Sequence, residues 1–342
     1  MKQKRHPIGL IAVLLALLSV PGATDMIWNS TPCRAGASYW TNMDPVNRPS
    51  ARWGHAMAYD AESDRIILFG GEPGETWAYD FDTNTWTNMN PPVAPTVTMA
   101  HAMAYDAQSD RVILFGGDDG FVEKGDTWAY NFNTNTWTIM NPSLAPSARS
   151  AHAMAYDAQS DRVILFGGCS GFPCLQFGDT WAYDFNTNTW TSINPTIAPS
   201  QRSSHTMTYD AQSDRIILFG GYDGTHKADT WAYDANTNTW TNMSPSLAPA
   251  ARRSHAMAYD AQSDKVVLFG GCTHPCGSSS DLNNETWVYD VNTNTWTNLN
   301  PSLAPSKRWL FALAYDIQSD RIILFGGNLG GGTIDGETWA YQ

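Results

Sequence analysis

The sequence predicts an all-β protein, a closed ring of six four-stranded sheets, on three observations. First, the block running from His152 to Pro195 recurs six times at a spacing of about 50 residues, with its glycine pair at Gly70/Gly71, Gly116/Gly117, Gly167/Gly168, Gly220/Gly221, Gly270/Gly271 and Gly326/Gly327. Second, each copy divides by period into four short strand-like runs separated by polar turn residues. Third, the second run of every copy is apolar without alternation, so it needs cover on both faces, which a sheet standing alone does not have. Units that cover one another's faces by radial repetition form a β-propeller.

The elements follow in order along one copy. AMAYD alternates small alanines with Met and Tyr, as suits a strand at the narrow inner end of a wedge. DAQSD is a tight polar turn. RVILFGG is the doubly covered strand, and its glycines let the chain take positive φ or approach a neighbouring backbone as the strand ends. A variable loop comes next (CSGFPCLQFG in the third copy). In DTWAYD, Trp181 and Tyr183 point to one side, Thr180 and Ala182 to the other. The turn DFNTNT offers Asx-type hydrogen bonds, and TWTSI closes the sheet with Trp190 as its anchor. Pro-rich joints such as Asn141–Pro146 carry the chain to the next copy.

The run R-x-x-H, then Y-D, then the apolar strand ending Gly-Gly, then Thr-Trp and a second Trp, resembles the Kelch repeat, in the bacterial form found in secreted proteins and in the propeller of the galactose oxidase family. The resemblance covers the chain from about Ser38 onward. It implies a six-bladed propeller, but fold and function are only loosely tied. The copper site of galactose oxidase uses residues beyond the repeat, so it is not carried over. No cofactor is expected.

Met1 to Ala23 reads as a secretory signal peptide: Lys2, Lys4 and Arg5 precede the apolar run Ile8–Val20 and a Pro-Gly-Ala cleavage zone. The run is shorter than the roughly 20 residues that cross a bilayer. The expected organisation is therefore a signal at 1–23, a linker at 24–36 and the propeller at 37–342, in a protein that is secreted, periplasmic or displayed at the cell surface and not inserted in the membrane after cleavage. Loss of three basic residues with the signal takes the formal charge from −13 to −16. That balance gives no electrostatic footprint for nucleic acid. Ser38 to Met43 matches a fourth strand with no preceding three, and Glu337 to Gln342 is a third strand with no fourth after it. The first strand is expected to complete the last blade, removing open edges.

Antiparallel order sorts the connections. The uniform DAQSD and NTNT turns lie on one face; the variable loops and Pro-rich joints lie on the other, where a site is sought. His55, His101, His152, His205 and His255, with Phe311 in the sixth copy, read as structural because they obey the repeat. Three residues before them stand Arg52, Arg149, Arg202, Arg252 and Arg308, with Thr98 as the exception. The resemblance implies either a structural role or a channel-mouth role for these arginines, and guanidinium can hold carboxylate in bidentate fashion. Two of the 15 Trp are extra to the repeat and follow that Arg: Trp53 and Trp309, in copies that closure makes neighbours. The candidate ligand site is thus Arg52, Trp53, Arg149, Arg202, Arg252, Arg308 and Trp309. The alternative is that the two indoles pack the seam.

Cys169/Cys174 and Cys272/Cys276 read as two local disulfides. A metal at Cys272, His274 and Cys276 is the rival, but three ligands within five residues match no standard zinc spacing. Cys33 is left over. No G-x-S-x-G, H-E-x-x-H or phosphate loop is present, and Asp118-Asp119-Gly120 and the Asp281 loop follow no EF-hand pattern. Three functions stay open: an exported module binding a carbohydrate or a protein, which is favoured; a sugar-acid epimerase of the sialic-acid type, for which Glu123 and His226 are the unusual loop candidates; and a structural surface protein.

Overall fold

The computed structural model describes residues 38–273, 276 and 278–342. The segments expected to be a signal (1–23) and a linker (24–36), together with Cys33 and His274, lie outside the described residues. Six four-stranded antiparallel sheets follow one another in chain order. The first blade is Ala56–Asp60, Arg65–Phe69, Thr76–Asp80 and Thr85–Asn88, and the same four strands recur in each blade at the predicted segments. The third blade adds a small hairpin, Cys169–Ser170 with Leu175–Gln176, and the sixth lengthens its middle strands to Arg321–Gly330 and Thr333–Tyr341. Among the described residues no helix is long and apolar enough to cross a membrane.

The packing explains why the second strand is apolar throughout. Side chains alternate across a strand, so Ile66 and Leu68 enter a core shared with Ala312, Ala314, Ile323 and Phe325 of the sixth blade. Ile67 and Phe69 enter a different core, with Met103, Val112 and Leu114 of the second blade. Each strand thus serves two interfaces. Full burial of one such side chain contributes about 1.5–3 kcal/mol, and all four of these residues are buried.

Two hydrogen-bond systems stitch the blades. At the outer rim, the fourth-strand Trp of each blade donates its indole N–H to the threonine that precedes the third-strand Trp of the preceding blade: Trp86 to Thr338, Trp137 to Thr76, Trp190 to Thr127, Trp240 to Thr180 and Trp296 to Thr230. Trp40 completes the set through Thr286. Trp40–Asn42 pairs antiparallel with the last strand, Trp40 opposite Tyr341 and Asn42 opposite Trp339. At the axis, six backbone N–H groups form a closed cycle, each bond 2.8–3.0 Å: Gly54 to Leu310, Leu310 to Ser254, Ser254 to Ser204, Ser204 to Ala151, Ala151 to Ala100 and Ala100 to Gly54. All six residues hold positive φ, from 53° to 72°, a conformation that disfavours a Cβ. Glycine stands at only one of the six positions.

The uniform turns behave as their residues predict. Asp60 Oδ1 accepts from the N–H of Glu62 and Ser63, while Tyr59 donates its hydroxyl to Asp64. Asn84, at φ 50°, accepts from Tyr79 and donates 2.6 Å to the carbonyl of Met43. Asn135 does the same to Met89, so these turns also join neighbouring blades.

Candidate functional site

The repeated arginines are built into the blades. Arg52, Arg149, Arg202, Arg252 and Arg308 are each 0–1% exposed. Each donates from Nη1 to the carbonyl of the first glycine of its own blade's pair, for example Arg149 to Gly167 at 2.9 Å. Each also pairs with the acid preceding that blade's Thr-Trp: Glu75, Asp179, Asp229, Glu285 and Glu337. The same carboxylate accepts the indole N–H of the third-strand Trp two residues on, as in Asp179 with Trp181 at 2.7 Å. Burial pushes the carboxyls of Glu75, Asp179, Asp229 and Glu285 up, but the Arg hydrogen bond and charge outweigh it and hold them below the usual range. The guanidiniums lie beneath the loop face, with their polar atoms already used. Sequence reading missed the acid partners. Their signal was the Asp or Glu before every Thr-Trp, six times over.

The glycine pair is part of this machinery. A Cβ on Gly116 would sit 2.6 Å from the carbonyl of Arg149 and 2.8 Å from the His152 ring. The histidines line the axis and are neutral. Burial drives the imidazoles of His55, His205 and His255 down to about 3, and the nearby Arg charge adds to it; burial brings His101 to about 4 and His152 well below its ordinary value. His101 Nε2 lies 3.1 Å from the carbonyl of Phe69, whose ring it meets at 5.4 Å. Phe311 fills the same place against Phe269.

Two cavities follow the repeat. One of about 380 Å³ opens on the uniform-turn face, walled by Met57, Tyr59 and Ala61 and their counterparts, which in the sixth blade are Leu313, Tyr315 and Ile317. A smaller one of about 150 Å³ lies at the histidines. Both keep the repeated layout, with Phe311 standing in for a histidine in the smaller one.

Asymmetry appears on the loop face. Trp53 and Trp309 are both half-buried. The Gly54–Leu310 bond sets the residues just before each on adjacent blades. Trp309 walls a cleft of about 200 Å³ with Cys276, Ser278, Leu282, Asn328 and the glycines 330–332; Trp53 is not among the residues of that wall. Across the ring, the loops of the second and third blades are tied by Glu123, whose carboxylate accepts from Gly171 N at 3.0 Å and from Ser170 Oγ at 3.5 Å. Beside that tie stand Phe121, 92% exposed, and Phe172, fully exposed, with Val122 and Leu175 also out in solvent. Asp118 and Asp119 cap this loop: Asp119 accepts from Phe121 N and Val122 N and pairs with Lys124 at 2.6 Å. The disulfides are Cys169–Cys174 and Cys272–Cys276, one in each of these two loop regions.

Six blades, five of them with this Arg–acid–Trp arrangement, and the ring closure agree with the sequence comparison. The KLHDC2/KLHL20/DRC7 Kelch-repeats domain matches residues 34–208 and 196–342. The chain belongs to the Kelch-repeat family. Among curated Kelch relatives and others, it is 31% identical to Mei4-dependent protein 6 of Schizosaccharomyces pombe over 81 residues, 24% of this chain and 11% of that protein. It is 30% identical to an F-box/kelch-repeat protein of Arabidopsis thaliana over 105 residues, 30% of this chain and 20% of that one. Identity to Kelch domain-containing protein 10 of Xenopus tropicalis is 29% over 115 residues, 31% of this chain and 27% of the relative. The Kelch match thus spans less than a third of each relative's length.

Proposed function

We propose that this Kelch propeller is a binding module that takes a protein partner on its loop face, centred on Phe121 and Phe172. The observation that carries the reading is the pair of solvent-exposed aromatic side chains on two loops that Glu123 ties together. Fully exposed aromatics cost solvation and gain nothing in the free protein, whereas buried in a partner they are the residue type that dominates interface energetics. The tie pre-organises them, which lowers the ordering cost of binding. The formal charge of −13 favours a partner surface that is apolar at the centre and basic at its rim. The Kelch relatives, whose names include an F-box/kelch-repeat protein, support protein binding over catalysis.

The test is quantitative affinity capture with the wild type and the Phe121→Ser/Phe172→Ser double variant as baits. The reading predicts partners retained by the wild type and lost by the variant at unchanged melting temperature. Equal recovery on both baits contradicts it.

A second reading, a carbohydrate at the Trp309 cleft, is favoured by the indole set among Ser278, Asn328 and glycine backbone in a volume suited to a sugar ring. A glycan array separates the two: glycan signals abolished by Trp309→Ala at unchanged stability favour the sugar. The sugar-acid epimerase reading finds less support, since the arginines it relied on are occupied within the blades and Glu123 serves as a loop tie. Export belongs to the proposal as well, on the charged-then-apolar segment Met1–Ala23 and the paired cysteines; N-terminal sequencing of protein from the culture medium or periplasm checks it.

A further inference from the structure

The loop of the fourth blade reaches the loop of the fifth at a cluster that repetition does not explain. His226 Nε2 lies 3.2 Å from Cys276 Sγ. One ligand atom from each of His226, Cys272 and Cys276 falls within 4.8 Å of the others, the one such grouping of metal-ligating side chains among the described residues. Cys272 is wholly buried and Cys276 half-exposed. His226 is seated rather than loose: its ring meets Tyr222 edge-on at 5.3 Å, the Tyr222 ring lies under the Arg253 guanidinium at 4.7 Å, and backbone bridges join Tyr222 to His226 and Arg253 to Cys272. Among the described residues, the Cys169–Cys174 disulfide has no imidazole grouped with it. Two close cysteines in a loop suffice for a disulfide; a histidine delivered to them from another blade is a ligand set.

We propose that His226, Cys272 and Cys276 form a redox-gated zinc site that clamps the fourth and fifth blade loops together when the disulfide is reduced. Two thiolates and a neutral imidazole are a borderline-soft donor set of the kind that holds Zn(II), with a water in the fourth position. A dithiol reductant attacks the Cys272–Cys276 bond through its half-exposed sulfur; the S–S bond breaks, the reductant leaves as its own disulfide, and two electrons and two protons pass to the protein as two thiols. Zn(II) then displaces both thiol protons and accepts the lone pair of His226. Tetrahedral coordination, at about 2.3 Å per Zn–S bond, holds both sulfurs on one ion instead of on each other. The oxidised pair staples one loop to itself, whereas the metal would join two blades. Cys276 also walls the Trp309 cleft, so the exchange would reshape that cleft. None of this geometry depends on which partner the loop face takes.

The test uses the full chain, reduced anaerobically with a phosphine and then desalted. Zinc is measured after gel filtration, and Co(II) is used as the spectroscopic probe. The expected result is about one zinc per reduced chain and none per oxidised chain, with a thiolate-to-cobalt charge-transfer band. Cys272→Ser/Cys276→Ser should bind none, and Cys169→Ser/Cys174→Ser should bind as the wild type does. His226→Ala should weaken zinc at least about tenfold, while His226→Cys, which restores a third ligand, should keep zinc and intensify the band. Far-ultraviolet circular dichroism confirms the fold of each variant. No zinc on the reduced chain, binding that depends on Cys169 and Cys174 instead, or an affinity indifferent to His226 would overturn the proposal.

Discussion

Trp40 Nε1 donates to Thr286 Oγ1 at 2.9 Å, 246 residues away. This bond repeats, at the junction of first and last strands, the one that Trp137 makes with Thr76 inside the ring. Trp40 is wholly buried and also packs on Phe269 and Tyr341 at 5.0 and 5.1 Å. Its truncation leaves a cavity and an unpaired threonine, so Trp40→Ala should cost about 3–5 kcal/mol. Because its strand has only three residues, the variant should also expose the edge of the last strand and associate. Denaturant melts with light scattering check this; a variant that melts like the wild type and stays monomeric would show that closure does not hold the ring.

The five arginines give a prediction that separates scaffold from site. Arg202→Met removes a buried cation and leaves Asp229, 29% exposed, with Trp231 as its remaining side-chain partner. Breaking a fully buried pair costs about 3–5 kcal/mol, and the partial exposure of the acid lowers that to about 2–4 kcal/mol. Binding by protein that remains folded should be unchanged. Loss of a ligand at wild-type stability would instead place Arg202 in a site.

The axial histidines make stability fall with acid. Their folded pKa values lie below the unfolded value near 6.5, at about 3 for His55, His205 and His255 and about 4 for His101. The unfolded chain therefore binds protons first as pH drops, and stability is lost from about pH 6.5 downward to these values. The carboxylates paired with Arg are also depressed and lose their contribution in the same direction at lower pH. Each histidine contributes a slope of up to about 1.4 kcal/mol per pH unit. His205→Phe, which copies the Phe311 already found at this place in the sixth blade, should flatten the dependence between about pH 6 and 4.5 by about one proton. An unchanged slope from urea melts would contradict the burial argument.

At the axis, Ala151 holds φ 55° and donates to Ala100 within the closed hydrogen-bond cycle. Glycine carries no Cβ penalty in that conformation. Ala151→Gly should therefore stabilise by roughly 0.5–1 kcal/mol net of the entropy that glycine loses. Gly54→Ala should do the reverse, since its Cβ would meet that of Met99 at 3.1 Å. Thermal melts of the two variants moving in the same direction would refute the assignment of strain to the cycle.

The repeat made the blades readable because period, turn residues and glycine pairs each pointed to the same four strands. The odd strand at Ser38–Met43 likewise matched the missing one. What sequence concealed was pairing across distance. The Arg149–Asp179 bond joins residues 30 apart, and without the acid partner a channel-mouth role for the guanidinium stayed open although it lies inside the blade. His226 and Cys276 come from loops of different length, whose meeting depends on blade geometry. The exposure of Phe121 and Phe172 was equally hidden, since a variable loop has no period from which to infer its facing.

The most direct measurement is photo-crosslinking from each face in turn. Benzoylphenylalanine replaces Phe172 on the loop face in one protein and Ile317, an exposed residue of the uniform-turn face, in another. With the captured partner present, the account predicts adducts from position 172 and none from 317. Adducts from 317 alone would put the partner on the repeated face and contradict it.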